Sequence, residues 1–547
     1  MSNKSRQSPP LGAVSTLVLR YWPYISLSIV ILFFSAIRIR LLHLPLERDE
    51  GEYAYAGQLI LQGIAPFKLA YNMKLPGTYA AYALIMAAFG QTPGGIHLGM
   101  IVVNGITVVV MFLLGKRLFD ATTGVAAACS YAVLSNSEEV LGFHGHATHF
   151  VVLFALPGIL VLLHAIAAKR RWIFFLSGLL VGLAFVMKQP GLAFVLFGAF
   201  YLAASEWKQL ATWAGFSRLL LYGIGAACPF LLTCLVMFLA GALGKMWFWT
   251  FSYASQYASV TVLWDAWDNL FIMGSHAVEP CFLVWILALL GLVALAWDSR
   301  LRKHALFILS FVFFPWLGVA AGFYFRPHYF VLVLPAVSLL AGITVSTARH
   351  ELSKFVTKTA AIAIPALIFV IVMAVPIALQ RDTLFYMDMT SISRASYGAH
   401  PFPEAEAISQ YLQARTAPDA RIAVFGSEPE IFFLTRRHSA TGYIYVYPLF
   451  EPQKFALQMQ HEMAKEIEQN QPEYVVMVKV MGSWGVRPES EKWFLGWSQD
   501  YLKAHYELVG VADEVSPQTR YVWGDPAKDY KEESEAVLQI FKLASGS

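Results

Sequence analysis

The segment Leu46-Glu47-Arg48-Asp49-Glu50-Gly51-Glu52-Tyr53 packs acidic and basic side chains together directly after a long apolar run. Carboxylates beside a bilayer are disfavoured unless they serve a polar cavity. In one reading this is a solvated linker in which Asp49 caps an amphipathic helix lying on the membrane and running through Tyr53-Ala54-Tyr55-Ala56. In the other, the carboxylates serve a polar cavity and take part in its chemistry. Downstream, Tyr71-Asn72-Met73-Lys74-Leu75-Pro76 offers a lone cation. Lys74 either snorkels to headgroups or holds a phosphate as a point charge.

Three further groups of residues fit the same chemistry. The loop Ser137-Glu138-Glu139-Val140-Leu141-Gly142-Phe143-His144-Gly145-His146-Ala147-Thr148-His149 holds acids and imidazoles that could form a second acidic site or bind a divalent metal or a phosphate. Interfacial histidines also commonly just hydrogen-bond to water and backbone. Arg326 and His328, in Phe325-Arg326-Pro327-His328-Tyr329, could meet a lipid phosphate or simply anchor at the interface, and Lys188 in Lys188-Gln189-Pro190 is a similar site. Between 241 and 280, Trp247, Trp249, Tyr253, Tyr257, Trp264 and Trp267 could stack on a sugar or form an interfacial aromatic belt.

The elements that must position these groups are membrane helices. Of 547 residues 57% are hydrophobic and 14% charged, against about 25% charged in soluble domains. Long or nearly long enough apolar runs occur at about eleven places: 24–43, 96–114, 122–135, 150–167, 172–187, 192–204, 219–240, 282–297, 305–323, 329–345 and 360–379. Basic linkers alternate with the pieces that carry the chemistry. Lys4, Arg6 and Arg20, Lys116-Arg117, Lys169-Arg170-Arg171, Lys208 with Arg218, Arg300 to Lys303, and Arg349 to Lys354 all fall on one side if 78–89 is not a full crossing. That side is cytoplasmic, which places 44–95, 136–149, 188–190, 241–280, 326–328 and everything after Gln380 outside.

After Gln380 the composition becomes that of a soluble domain, with strands expected at 421–425, 473–480, 506–511 and 519–523 and helices at 404–415, 428–434 and 454–469. The chain therefore divides into a membrane part, 1–380, and a soluble α/β part, 381–547. A net charge of +4 leaves no basic footprint for nucleic acid. Cys129, Cys228, Cys234 and Cys281 lack metal or CxxC spacing and read as buried thiols.

A first span followed by Arg-Asp-Glu-Gly-Glu-Tyr, then Lys-x-Pro about twenty-five residues on, many further spans and a soluble tail resembles the lipid-linked-sugar glycosyltransferases of GT-C fold. Within these it is similar to the bacterial branch of protein O-mannosyltransferase-like and aminoarabinose-transferase-like enzymes. The resemblance implies a polyprenyl-phosphate sugar donor, transfer with inversion, Asp49 as base on an acceptor hydroxyl, Glu50 as its neighbour and Lys74 on the donor phosphate. The acceptor would be a lipid, glycan or protein of the cell envelope, with the catalytic face periplasmic in the inner membrane. The family's second acidic residue in the 137–150 loop would fall on Thr148, unless Glu138 or Glu139 supplies it. The competing readings are a transporter or flippase of lipid-linked saccharides, which would place charges at the bilayer midplane and show related halves, and a polymerase or ligase using larger donors.

Overall fold

The computed structural model describes residues 11–259, 261, 263–515 and 518–544; the N-terminal Lys4 and Arg6 lie outside them. Among the described residues, seven helices are long and apolar enough to cross a membrane: Arg20–Arg40, Pro93–Leu118, Ala147–Ala168, Trp213–Leu239, Trp264–Ala296, Ala305–Phe323 and Lys358–Leu379. Ala121–Leu134, Arg171–Met187 and Gln189–Ser205 are apolar but shorter. Fourteen residues, as in Ala121–Leu134, rise only about 21 Å. The helix Pro76–Phe89 is equally short. The stretch 241–280, expected as an outer loop, instead contains the helix Leu263–Val278, which runs through one 3₁₀ turn, Glu279–Cys281, into Phe282–Val293.

After Gln380 the chain builds one six-stranded mixed sheet from β1 (Arg421–Phe425), β2 (His438–Ser439), β3 (Tyr474–Val478), β4 (Tyr506–Val515), β5 (Gln518–Trp523) and β6 (Val537–Leu543), in the order β2-β1-β3-β6-β4-β5. β1 is parallel to β2 and β3, with Ile422 opposite Tyr474, and the β6, β4 and β5 pairings are antiparallel. The central strand β6 and the edge strand β2 were not read from the sequence. β2 is two residues long, and β6 follows the charged run Lys531 to Glu535, so neither shows a clean flanked alternation.

The helix Arg48–Leu61 joins the two parts. It was expected to lie on the membrane surface, yet Glu50 to Leu59 are all buried. The helix Pro76–Phe89 packs on one side of it and the short helix Glu430–Thr435 of the C-terminal part on the other. Gly51 permits that approach, since a Cβ there would sit 2.6 Å from the Glu430 nitrogen. Tyr55 Oη accepts the Ser439 N–H at 2.8 Å, and the Tyr71 N–H donates to the Gly442 carbonyl at 2.7 Å. The C-terminal part is thus built into the roof over this helix.

Candidate functional site

The helix Arg48–Leu61 starts two residues earlier than a cap at Asp49 would require. Glu47 is the N-cap, its Oε1 accepting the Glu50 N–H at 2.9 Å. This corrects the expectation for Asp49 and leaves the Asp49 carboxylate free to face a cavity. That cavity has a volume of about 370 Å³ and is bordered by Glu47, Asp49, Lys74, His146, Arg326 and His328, among others.

Asp49 Oδ2 accepts hydrogen bonds from Lys74 Nζ at 3.3 Å and from the Tyr53 hydroxyl at 3.2 Å. His146 Nδ1 lies 3.7 Å away and His328 Nε2 4.0 Å. Burial would raise the Asp49 carboxyl, but the Lys74 ammonium, helped by His146 and His328, holds it well below the usual range. Lys74 is raised in turn, because Asp49 and Glu52 outweigh its burial. Pro76 begins the next helix, Thr78 Oγ1 donates to the Met187 carbonyl at 2.7 Å, and Gln189 Nε2 donates to the Met73 carbonyl at 2.6 Å. These bonds pin the Lys74 loop against the break between two membrane helices.

Glu50 does not share the site. One position along a helix turns a side chain by about 100°, and Glu50 points into the protein. Its Oε2 meets His144 Nδ1 at 2.9 Å, while Oε1 meets His97 Nε2 at 3.3 Å and accepts the Gly145 N–H at 2.6 Å. Burial opposes its charge, yet His97 and His144 keep it well below the ordinary value. It fixes the 136–149 loop, which Arg38 also clamps through Asn136 Oδ1 at 2.7 Å and the Gly142 carbonyl at 2.6 Å. Glu52 is held by Tyr79 and Asn72, each donating at 2.5 Å, and burial pushes it up to about 7.

Of the loop candidates, only His146 reaches the cavity. Its ring stacks on His328 with centroids 4.2 Å apart and planes 11° apart. Burial lowers the proton affinity of both imidazoles. His144 serves Glu50, whereas Glu138 accepts the Thr383 hydroxyl at 2.6 Å and Glu139 lies 3.7 Å from His276. Thr148 and His149 are buried, and neither Thr148 Oγ1 nor His149 Nε2 has a hydrogen-bond partner among the described residues. No second carboxylate from this loop faces Asp49. A divalent ion, if bound, would find Asp49, His146 and His328 with ligand atoms within 4.8 Å of one another, in competition with the Lys74 ammonium on the same carboxylate oxygen.

Arg326 opens into the cavity, 5.6 Å over the Tyr324 ring, and no carboxylate pairs with it among the described residues. Lys188 stands behind the Tyr329 ring at 4.2 Å, buried, with Nζ unbonded. Burial and the charge of Lys74 push its amine well below the usual lysine range. Trp247, Trp264 and Trp267 are exposed and Trp249 is buried, whereas Tyr253 and Tyr257 line the cavity.

Residues missed in the sequence complete the site. Arg48 donates to the Ser427 carbonyl at 2.7 Å, Tyr447 Oη at 2.6 Å and His400 Nδ1 at 3.0 Å, and lies 3.5 Å from Glu428. Tyr445, Tyr447 and Glu451 form cavity wall from the C-terminal part. The only local signal was the alternation Tyr443-Ile444-Tyr445-Val446-Tyr447. Burial raises Glu451 to about 7.

This is a membrane protein with a polar cavity that joins the Asp49 carboxylate, the Lys74 ammonium bound to it and Arg326, which has no carboxylate partner among the described residues. The profile of the dolichyl-phosphate-mannose-protein mannosyltransferase family matches residues 74–232. Two undecaprenyl phosphate-α-4-amino-4-deoxy-L-arabinose arabinosyl transferases of Pseudomonas aeruginosa, from strains LESB58 and UCBPP-PA14, are 27% identical over 309 and 314 residues. Each alignment covers 54% of this chain and 54% of the relative, so the chain spans about half the length of the curated relatives it matches. Among solved structures, ArnT from Cupriavidus metallidurans in the apo state superposes with a TM-score of 0.52 at 15% identity, covering 96% of this chain and 98% of that one. The Archaeoglobus fulgidus oligosaccharyltransferase tethered to an acceptor peptide gives 0.52 at 13% identity, covering 93% and 75%. The same organism's AglB, with an inhibitory peptide and a dolichol-phosphate, gives 0.51 at 12% identity, covering 94% and 75%. The chain has the GT-C fold.

Proposed function

We propose that the protein is a membrane glycosyltransferase that moves a sugar from a polyprenyl-phosphate donor to a hydroxyl of a cell-envelope lipid, glycan or protein. The observation that carries this reading is the Asp49–Lys74 pair, 3.3 Å apart at the wall of a cavity shared with Arg326 and His328. The acceptor oxygen bonds to the anomeric carbon from the face opposite the phosphate, inverting it. The bond from that carbon to the phosphate oxygen breaks, the acceptor proton passes to Asp49, and polyprenyl phosphate leaves with its charge held by Lys74 and Arg326.

The low proton affinity of Asp49 is matched to this sequence of events. While Lys74 lies on Asp49 the carboxylate stays ionised but weakly basic. A donor phosphate competes for Lys74, and Asp49 gains basicity when the substrate is in place. An apolar groove of about 430 Å³, bordered by Trp285, Trp316 and Phe330, lies two residues along the chain from His328 and supports a lipid-borne donor.

The proposal includes eleven crossings, made up of the seven long helices, the three shorter apolar ones and Leu334–Leu352. It sets the cavity and the part after Gln380 on the periplasmic face of the inner membrane. Its test is release of polyprenyl phosphate from a labelled donor by purified protein, with Lys74→Ala alongside. Wild-type release, with weakened donor binding and slower transfer in Lys74→Ala, is the expected result. Donor movement across vesicles without release would favour a flippase instead.

A further inference from the structure

Another polar pocket lies at the far end of the membrane helices from Asp49. It has a volume of about 230 Å³ and opens between the turn 118–123, the segment 300–304 and the last turns of the helix Leu334–Leu352. His97, which meets Glu50 at 3.3 Å, and Leu118, which borders this pocket, lie on one helix, Pro93–Leu118. About 30 Å of helix therefore separates the pocket from the candidate site.

The acidic groups here are already engaged. Asp120 Oδ1 accepts the Thr123 N–H at 2.7 Å and the Thr123 hydroxyl at 3.0 Å, and Oδ2 accepts the Ser346 hydroxyl at 2.8 Å. Asp298 accepts from Arg300 Nε at 3.1 Å and Nη2 at 2.6 Å. The cations retain free donors. Among the described residues, Lys303 Nζ has neither a hydrogen bond nor an ion pair, and Arg300 Nη1 has no hydrogen bond; both side chains border the pocket. Thr347, 6% exposed, borders it too, and its hydroxyl lacks even the backbone bond that helical threonines commonly make.

A buried hydroxyl without a partner is costly. Beside two cations with free donors, it suits an anion rich in acceptor oxygens, which a phosphate is. Leu118, Phe119, Leu301 and Ile343 complete the wall, and Trp297 and Leu306 are exposed on either side of the segment. Apolar surface around cations at membrane-helix ends suits a phosphate that carries acyl chains, whereas a soluble phosphate would leave that surface unused.

We propose that this pocket binds the phosphate of an anionic phospholipid in the leaflet opposite the catalytic cavity, with Lys303 and Arg300 on its charge and the Thr347 hydroxyl donating to a phosphate oxygen. The site is independent of the transferase reading, and its test needs no sugar donor. Purified full-length protein in detergent is titrated with phosphatidylglycerol, phosphatidylcholine or inorganic phosphate, and binding is followed by native mass spectrometry and by the thermal midpoint. Phosphatidylglycerol is expected to bind about 10- to 30-fold more tightly than either of the others, and Lys303→Ala to weaken it about fivefold. Thr347→Val removes only a hydroxyl that has no partner. It should lower phosphatidylglycerol affinity about tenfold without lowering the midpoint of the lipid-free protein. Lys354→Ala removes a cation that follows the same helix but pairs with Glu351 away from the pocket, and should leave the affinity unchanged. Phosphatidylcholine or inorganic phosphate binding as tightly as phosphatidylglycerol would overturn the proposal. So would wild-type affinity in folded Lys303→Ala and Thr347→Val, or a loss in Lys354→Ala as large as that in Lys303→Ala.

Discussion

Replacing Asp49 by Asn tests the site most directly, because the substitution changes charge at nearly constant shape. The helix does not depend on Asp49 for its cap, which Glu47 supplies. As general base, Asp49 should contribute ~10²- to 10⁴-fold to transfer, equivalent to about 3–5 kcal/mol of barrier. The same change should have the opposite effect on donor binding. At 3.3 Å the Asp49–Lys74 attraction is about 5 kcal/mol gross at an effective dielectric of about 20. After desolvation of two groups at the cavity wall, about 1 kcal/mol of it is net. A phosphate binding to Asp49→Asn no longer competes for Lys74, so donor affinity should rise about fivefold. The assay is single-turnover transfer from a labelled donor in detergent, with equilibrium binding of polyprenyl phosphate measured on the same preparation. Near-wild-type turnover in folded Asp49→Asn would refute the base assignment. Weaker donor binding would refute the competition for Lys74.

The remaining expectations concern stability and topology. Glu52, pushed up to about 7 from 4.5, binds its proton more tightly when folded. Its contribution is complete below about pH 4.5 and is lost as pH rises through 7. The thermal midpoint should therefore fall more between pH 5 and 8 in wild type than in Glu52→Gln; parallel curves would contradict this. Gly51→Ala places a methyl 2.6 Å from the Glu430 nitrogen and should cost about 1–3 kcal/mol in detergent-melting experiments. Gly94→Ala, whose new atom meets nothing nearer than 3.7 Å, should be close to neutral, and equal midpoints for the two would count against the tight seat of the helix. With a membrane-impermeant maleimide on intact spheroplasts, Asp529→Cys should label and Lys354→Cys should not, and the reverse pattern would invert the topology.

What the sequence determined by itself is what composition and local spacing can carry. Apolar runs such as 360–379 need hydrocarbon whatever their neighbours, so a multi-pass helical membrane protein was legible. Asp49 and Lys74 stood out because charges beside such runs require a cavity or a partner, and the structure places them on one wall. The count of crossings was less legible, since Ala121–Leu134 and Arg171–Met187 are apolar but fall short of the bilayer in length.

The tertiary structure decided which charges face the cavity. Asp49 and Glu50 are adjacent and chemically alike, and only the packing of Pro76–Phe89 and Glu430–Thr435 around their helix sets the phase that turns Asp49 to the cavity and Glu50 to His97 and His144. Likewise His144 and His146, two residues apart, serve different carboxylates. Arg48 and Tyr447 are 399 positions apart, and Tyr253 and Glu451 are 198 apart. Contacts at such separations leave no periodicity in either segment. They exist because chain folding covers the outward face of the helix Arg48–Leu61 with residues after Gln380, and that cover turns an apparent surface helix into the wall of a site.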